Sequence, residues 1–170
     1  MNSLISPIWM HPAKLFITGI AVTLNVFLTA SNEAWAQSKS QTIKEKIQTL
    51  QNSNQRWIQI DLSDQRLIAW NGNTPVYTVI VSTGKKSTPT PTGVFQIQSK
   101  HKSARMQGRD YDIPNVPHTM YYSGSYAIHG AYWHKKFGTP VSHGCVNVAP
   151  KRARWLFNWA SIGTPVVVKR

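Results

Sequence analysis

Short runs of alternating apolar and polar residues, separated by turn residues, occupy most of the chain after residue 56. Alternation with a period of two is typical of strands that bury one face, and Ser, Asp, Asn and Gly between the runs are typical of tight turns. The strands indicated by this pattern are residues 57–61, 66–70, 76–81, 94–97, 119–122, 126–128 and 164–169. The first three are short and closely spaced, and they predict an antiparallel meander.

One helix is predicted in this part of the chain, shortly after its only cysteine. Pro150 suits the first turn of a helix. After it, Ala153, Leu156 and Trp159 recur at helical spacing and form one apolar face. Residues 56–170 are therefore predicted to form a single, mainly β domain with one clear helix.

Residues 100–117 are polar and basic and show no periodicity. Such a segment predicts a long loop, and long loops in compact domains often act as lids or binding loops. We therefore expect an irregular excursion here that serves a binding site.

The N-terminal segment, residues 1–36, has the composition of a secretory signal peptide. Lys14 precedes an apolar run at residues 15–30, and residues 34–36 fit a small-x-small cleavage site. An uncleaved membrane anchor is the alternative, although the apolar run is short for a membrane span. The segment predicts export to the periplasm or the cell wall. The polar residues 37–55 that follow indicate a linker or a short helix.

The chain is strongly basic, with 19 Lys and Arg residues against 6 Asp and Glu residues and a formal net charge of +13 at pH 7. A charge of this size attracts polyanions such as nucleic acids, anionic membranes and acidic wall polymers. Export conflicts with a nucleic-acid partner. An anionic cell wall is therefore the expected partner, and the sequence leaves the oligomeric state open.

Cys145 is the only cysteine of the chain. Exported proteins usually pair their cysteines, so a lone thiol suggests a residue that reacts or is fully buried. His143 lies two residues before it, and His129 lies upstream in an apolar run. An imidazole or aligned backbone N–H groups can make a thiol nucleophilic, so this set indicates cysteine acyl transfer. The small, polar, turn-forming neighbours argue against a buried structural cysteine.

Two non-catalytic functions are alternatives. Cys145, His129 and His143 could bind Zn²⁺, but structural zinc normally takes four ligands with short paired spacings, and His118 would have to be the fourth. A non-catalytic wall-binding module would explain the basic charge but not the unpaired exported thiol. We therefore predict no metal and no cofactor.

The segment around Cys145 resembles the catalytic motif of the L,D-transpeptidase family of YkuD type. In that family a histidine and a spacer precede Ser/Thr-His-Gly-Cys, an apolar residue and Asn or Arg. Here His129 is followed by Ser-His-Gly-Cys-Val-Asn at residues 142–147. Further matches are Pro-Thr-Pro-Thr-Gly at residues 89–93, Tyr-Ser-Gly at residues 122–124 and Gly-Thr-Pro-Val-Val at residues 163–167. The resemblance implies a β-sandwich-type catalytic domain with one helix after the cysteine motif.

The resemblance also implies roles at the site, where spacing alone does not choose between the two histidines. Cys145 would be the nucleophile, and His129 would be its base, oriented by the carbonyl of Gly130. His143 would shape the site, and Gly144 would let backbone N–H groups approach a developing oxyanion. The residues expected to contact substrate or to border its groove are Ser142, Asn147, Trp133, Tyr122 and Ser123.

The reaction that the resemblance implies is acyl transfer on peptidoglycan stem peptides. Cys145 would attack the carbonyl on the L-centre side of the bond to a terminal D-alanine, which would release D-Ala and leave a thioester. The amine of a second stem would then form a cross-link. With water as the acceptor the same steps would make an L,D-carboxypeptidase, and the sequence does not rank the two acceptors.

Overall fold

The structure, a computed structural model, describes the backbone of residues 20–170 and the side chains from residue 34 onward. Within these residues the chain forms two helices and nine strands. In chain order they are α1 (Ile20–Gln51), β1 (Arg56–Asp61), β2 (Arg66–Asn71), β3 (Thr74–Ile80), β4 (Gly93–Gln96), β5 (Ser99–Gly108), β6 (Tyr111–Ser123), β7 (Tyr126–Gly130), β8 (Val146–Val148), α2 (Pro150–Trp159) and β9 (Pro165–Lys169). The fold class is confirmed: after α1 the chain is mainly β, with α2 just behind the cysteine motif.

Helix α1 runs through most of residues 37–55, for which the sequence indicates a linker or a short helix. The chain divides after Gln37 into two units, and the part of α1 that follows belongs to the larger one. In that part, Ile43 and Leu50 are buried against Trp57 of β1. Apolar packing on the β domain therefore holds this stretch, although its composition is mostly polar.

The predicted signal peptide falls mainly on residues of which little is described. Residues 1–19 lie outside the described residues, and the backbone of its remainder is helical from residue 20. No helix in the described part of the chain has both the length and the apolar character needed to cross a membrane. Export therefore stays a prediction.

The first sheet has five strands in the order β3-β2-β1-β9-β4. Strands β1, β2 and β3 pair antiparallel in chain order, which confirms the predicted meander. The last strand, β9, lies parallel to β1 with Val166 opposite Ile58, and it pairs antiparallel with β4 on its other side. The end of the chain is therefore an internal strand of the sheet.

The second sheet has four strands in the order β5-β6-β7-β8. Strands β7 and β8 are parallel, with Ile128 opposite Val146 and His129 opposite Asn147. Because β8 begins directly after Cys145, this pairing brings the strand of the predicted base next to the predicted nucleophile.

The main hydrophobic core contains side chains from both sheets and from α2. Ile58 and Val166 contribute from the first sheet, Met120 and Ile128 from the second, and Leu156 from the helix. Fully burying a side chain of this size contributes about 1.5–3 kcal/mol relative to leaving it exposed. This shared core fixes the strands on which the site is built.

The prediction of a long loop at residues 100–117 is wrong, because this segment forms most of a hairpin of β5 and β6. The side chains of β5 are mostly exposed, so neither face shows the apolar alternation that marks a strand. Backbone pairing continues to Gly108 and Tyr111 at the tip, and Arg105 forms a two-pronged ion pair with Asp112 across the hairpin.

Candidate active site

A cavity of about 480 Å³ opens beside the cysteine motif and has two differently built walls. The hairpin wall consists of Met106, Tyr111 and Ile113 from β5 and β6. The motif wall comes from β7, from the segment after it and from the cysteine motif, and it consists of His129, Trp133, His134, Lys136, Val141, Ser142, His143, Cys145 and Asn147. The cavity therefore joins most of the residues that the sequence motif predicts.

Cys145 is half-buried between a tight turn and β8. The turn needs glycine at Gly144, where φ is +111° and a Cβ would lie 2.5 Å from the ring of Tyr126. The thiol donates a weak hydrogen bond to the carbonyl of Ser125, with the two heavy atoms 3.7 Å apart. Burial raises the pKa of Cys145, and the N–H of Ala127 offsets this only in part. The resting thiol is therefore protonated at neutral pH.

The hydroxyl of Ser142 is engaged inside the cysteine motif. It accepts the N–H of Gly144 at 3.0 Å and donates to the carbonyl of Cys145 at 2.6 Å. A hydroxyl has a single proton, so this one is not available to donate to a ligand. Ser142 therefore braces the turn around the nucleophile, and it also lines the cavity, so its contact with substrate stays a prediction.

His129 is the penultimate residue of β7, and only 2% of its surface is exposed. Its Nδ1 lies 3.2 Å from the carbonyl oxygen of Gly130. Since a carbonyl only accepts, Nδ1 carries the proton and Nε2 is left as an acceptor. Burial lowers the pKa of His129 to about 4, the hydrogen bond with the Gly130 carbonyl offsets this only in part, and the nearby His134 lowers the pKa further. His129 is therefore a neutral base at pH 7.

Two neighbours hold the imidazole of His129 in place. A Cβ on Gly130 would lie 2.9 Å from Cγ of Pro117, so close packing favours glycine beside the imidazole. Trp133 stacks on the imidazole with ring centres 5.7 Å apart and remains 38% exposed at the cavity. Gly130 and Trp133, which the sequence associates with the site, therefore both contact His129.

His143 has quite different surroundings. Its ring stacks on Tyr111 of the hairpin with centres 4.8 Å apart, and its Nε2 lies 3.4 Å from the carboxylate of Asp110. About one third of the side chain is exposed. His143 therefore connects the motif wall to the hairpin wall, through partners that the sequence motif does not contain.

Asn147 is buried on β8, and its side-chain amide lies 2.9 Å from Nε2 of His134. The N–H of Lys136 donates to Nδ1 of the same ring, so the neutral imidazole carries its proton on Nε2. A hydrogen bond between the two side chains then requires the amide oxygen of Asn147, and not the amide nitrogen, to face Nε2. Nothing in the motif marks His134, and only its place directly after Trp133 could have drawn attention to it. The structure thus adds His134 to the site as the partner of Asn147.

Tyr122 and Ser123 do not line this cavity, which corrects their assignment to the substrate groove. Alternation along β6 turns Tyr122 into the core, where it is fully buried with its ring centre 5.4 Å from that of Phe95. Ser123 borders a separate cavity beside Gln96 and Gln98. The family-like Tyr-Ser-Gly segment therefore serves the core and a turn.

A zinc site is not supported by the arrangement of ligand-type side chains. His118, the required fourth ligand, packs against Phe157 of α2 with ring centres 5.6 Å apart and is not part of the cavity wall. In the part of the chain that the structure describes, no three His, Cys, Asp or Glu side chains are grouped to hold a metal ion.

Comparison with known proteins assigns the family. A model of the YkuD family, described as the L,D-transpeptidase catalytic domain, matches residues 55–168. The chain belongs to this family. The YkuD domain is 35% identical over 104 residues to L,D-transpeptidase 1 of Mycobacterium tuberculosis, an alignment that covers 54% of this chain and 41% of that protein. It is 24% identical over 130 residues to the putative L,D-transpeptidase YciB of Bacillus subtilis, covering 66% of this chain and 64% of that protein.

Solved structures share the fold of the YkuD domain. The catalytic domain of Enterococcus faecium L,D-transpeptidase matches with a TM-score of 0.62 at 29% identity, covering 69% of this chain and 98% of that one. An L,D-transpeptidase from Mycobacterium smegmatis matches with a TM-score of 0.64 at 24% identity, covering 68% of this chain and 59% of that one. The chain spans about two fifths of the length of L,D-transpeptidase 1. The shared region is therefore the catalytic domain.

Proposed function

We propose that this YkuD domain belongs to an exported cysteine acyltransferase that cross-links peptidoglycan stem peptides. The observation that carries the proposal is a neutral His129, with Nε2 ready to accept a proton, in one cavity with the protonated thiol of Cys145. A base and a nucleophile in one site are the minimum equipment for covalent acyl transfer. Membership of the L,D-transpeptidase family supports stem peptides as the substrate.

The first half-reaction would form a thioester. Nε2 of His129 takes the proton of the Cys145 thiol while the sulfur attacks the carbonyl carbon on the L-centre side of the bond to a terminal D-alanine. The carbonyl electron pair moves to oxygen, which gives a tetrahedral oxyanion. When this intermediate collapses, the C–N bond breaks and His129 returns its proton to the leaving amine. D-Ala departs, and the acyl group stays on the sulfur.

The second half-reaction would use the same two residues in reverse. The amine of a second stem attacks the thioester and gives a proton to His129. The C–S bond then breaks, and the proton passes to the sulfur of Cys145. A new amide joins the two stems, and the resting enzyme is restored. Water in place of the amine would leave a free carboxylic acid and make the reaction an L,D-carboxypeptidase.

The oxyanion of each intermediate needs a donor close to the sulfur. The N–H of Gly144 is committed to the hydroxyl of Ser142. The N–H of Cys145 has no acceptor among the hydrogen bonds of the described residues. In this proposal it is the donor that receives the negative oxygen.

We also propose that the enzyme works at the cell wall, in the periplasm or beyond. The signal-like residues 1–36 and the net charge of +13 support this location, since a basic surface attracts an anionic wall. Fractionation of cells that produce the full-length chain would test it. Recovery of the protein with the cytosol would contradict the location.

The test of the reaction is mass spectrometry of stem-peptide fragments incubated with the purified protein, beside Cys145→Ala as the matched control. We expect free D-Ala and a cross-linked dimer with the wild type and neither product with the variant. A tripeptide stem without a dimer would identify a carboxypeptidase. Unchanged fragments, or equal products from Cys145→Ala, would contradict the proposal.

A further inference from the structure

Thr90 lies outside the cysteine motif but bonds directly to it. The residue is only 3% exposed, and its hydroxyl accepts the N–H of Gly84 at 2.8 Å and donates to the carbonyl of Gly144 at 2.9 Å. Because a hydroxyl has one proton, the bond from Gly84 leaves that proton to the Gly144 carbonyl. The direction of this carbonyl is therefore set by a buried side chain 54 residues away.

The carbonyl of Gly144 belongs to the same peptide unit as the N–H of Cys145. A trans peptide is planar, so its C=O and its N–H point in opposite directions. Fixing one group therefore aims the other. Since the Cys145 N–H has no acceptor among the described residues, the direction that Thr90 imposes is the direction in which this donor can meet a ligand.

We propose that Thr90 is a positioning residue for acyl transfer, which aims the Cys145 N–H at the oxyanion. The inference rests on the proposed acyl-transfer chemistry and deepens it. Thr90 touches no reacting atom, and it acts only through the Gly144–Cys145 peptide. The peptide on the other side of Cys145 is held in the same manner, by the hydroxyl of Ser142.

The loop around Thr90 is built to keep this contact. A Cβ on Gly84 would lie 2.2 Å from the carbonyl oxygen of Thr88, so the loop closes only with glycine there. The hydroxyl of Thr88 donates to the carbonyl of Ser142 at 3.0 Å, and the N–H of Lys85 donates to the same oxygen at 3.1 Å. Three contacts thus join this loop to the backbone of the motif.

The test compares two reactions of Cys145 that differ only in whether an oxyanion forms. Acylation by p-nitrophenyl acetate passes through a tetrahedral oxyanion, whereas alkylation by iodoacetamide displaces iodide without one. Both need the same thiol and the same loss of its proton. The ratio of the acylation rate to the alkylation rate therefore isolates the oxyanion donor, and neither probe is a stem peptide.

We expect Thr90→Val to lower this ratio by about tenfold to a hundredfold, less than the loss of about 10²–10³-fold seen when an oxyanion donor is removed outright. Alkylation should be unchanged. Thr90→Ser keeps the hydroxyl and should restore the ratio. Thr164→Val is the matched control, since it removes a buried threonine hydroxyl that accepts only the N–H of Ser161.

An unchanged ratio in Thr90→Val would overturn the inference, and so would an equal fall of both rates, which indicates general damage to the site. If Thr90→Val does not fold, the same ratio is measured in Thr90→Ala. A wild type that is acylated by the ester but leaves stem peptides untouched would overturn the proposed function while leaving the role of Thr90 standing.

Discussion

The motif wall and the hairpin wall of the cavity are held in different ways. In the motif wall, polar side chains bond to backbone groups: His129 to the Gly130 carbonyl and Ser142 to two groups of the turn. Near the tip of the β5–β6 hairpin, by contrast, Arg105 and Asp112 form an ion pair between two exposed side chains. Exposed ion pairs contribute about 0–1 kcal/mol, whereas a satisfied buried network resists rearrangement. Because the motif wall is held more firmly, we assign the chemistry to it and expect the hairpin wall to shape the cavity.

The largest difference should lie between the two histidines of the motif wall, because His129 is bonded to its backbone while His143 contacts the hairpin. His129→Ala removes the base, and general acid–base catalysis contributes on the order of 10²–10⁴-fold, so kcat/KM should fall by that amount. His143→Ala removes only a stacking contact with Tyr111 and a contact with the exposed carboxylate of Asp110, and its effect should be on the order of tenfold or less. The measurement is stem-peptide turnover by both purified variants. If both are folded and His143→Ala loses more activity, the assignment is reversed.

The next effect is acid destabilisation through His129. The unfolded chain takes up a proton at this residue near its ordinary pKa of about 6.5, while the folded chain resists protonation down to a pKa of about 4. Between these two values only the unfolded chain carries the extra proton, so the free energy of unfolding falls as the pH falls, by about 3 kcal/mol in total.

Urea unfolding near pH 7 and near pH 4.5 measures this loss, with His129→Gln as the reference that lacks the titrating ring. Other groups titrate over the same range, and subtracting the variant removes their share. We expect the wild type to lose more stability than the variant over this window. Equal losses would show that the buried imidazole does not resist protonation.

A smaller effect should separate a backbone position of the motif wall from a side chain of the hairpin. Gly144→Ala puts a Cβ against Tyr126 at a positive φ, and strain of this kind costs about 1–3 kcal/mol. Arg105→Ala breaks an exposed ion pair and should cost about 0–1 kcal/mol. Urea unfolding of both variants gives the comparison, and equal losses would contradict a difference in bracing.

The smallest expected effect concerns the basic surface of the hairpin. Lys102 and Arg109 are exposed, and replacing both with Gln should weaken binding to wall sacculi by roughly tenfold or less, since an exposed charge pair contributes about 0–1 kcal/mol. Salt should weaken wild-type binding as well, because it screens exposed charges. Alkylation of Cys145 should not respond to either change. Sedimentation that proves independent of salt would show that charge does not hold the protein to the wall.

Local patterns predict those parts of this fold that bury one face. The meander and α2 follow from the sequence because their apolar residues repeat with the period of a strand and of a helix. Ile58 belongs to the first pattern and Leu156 to the second. The β5–β6 hairpin does not follow, since the side chains of its outer strand are mostly exposed and show no apolar alternation. For Tyr122 the local pattern was the better guide. The alternation of β6 indicates a buried side chain, whereas the family-like Tyr-Ser-Gly segment suggested a residue of the substrate groove.

The identity of the candidate site could be predicted from the sequence, but its bracing could not. Cys145 and His129 carry a motif, and their chemistry follows from residue type. The bond from Thr90 to Gly144 and the pairing of His134 with Asn147 depend on how distant segments meet in the fold. Ser142 illustrates the limit, because its place in the motif is plain while the partners of its hydroxyl are a property of the turn.

The central claim is that the motif wall holds Cys145 and His129 as a neutral pair in the resting enzyme. The ultraviolet absorbance of the thiolate tests this claim most directly. Burial raises the pKa of Cys145 and lowers that of His129, so neither group should be charged near pH 7. The difference spectrum between the wild type and Cys145→Ala should show no thiolate band between about pH 5 and pH 8, although an ordinary thiol with a pKa of about 8.5 already begins to ionise at the upper end of this range. A thiolate band at neutral pH that is absent from Cys145→Ala would contradict the account and indicate a charged pair.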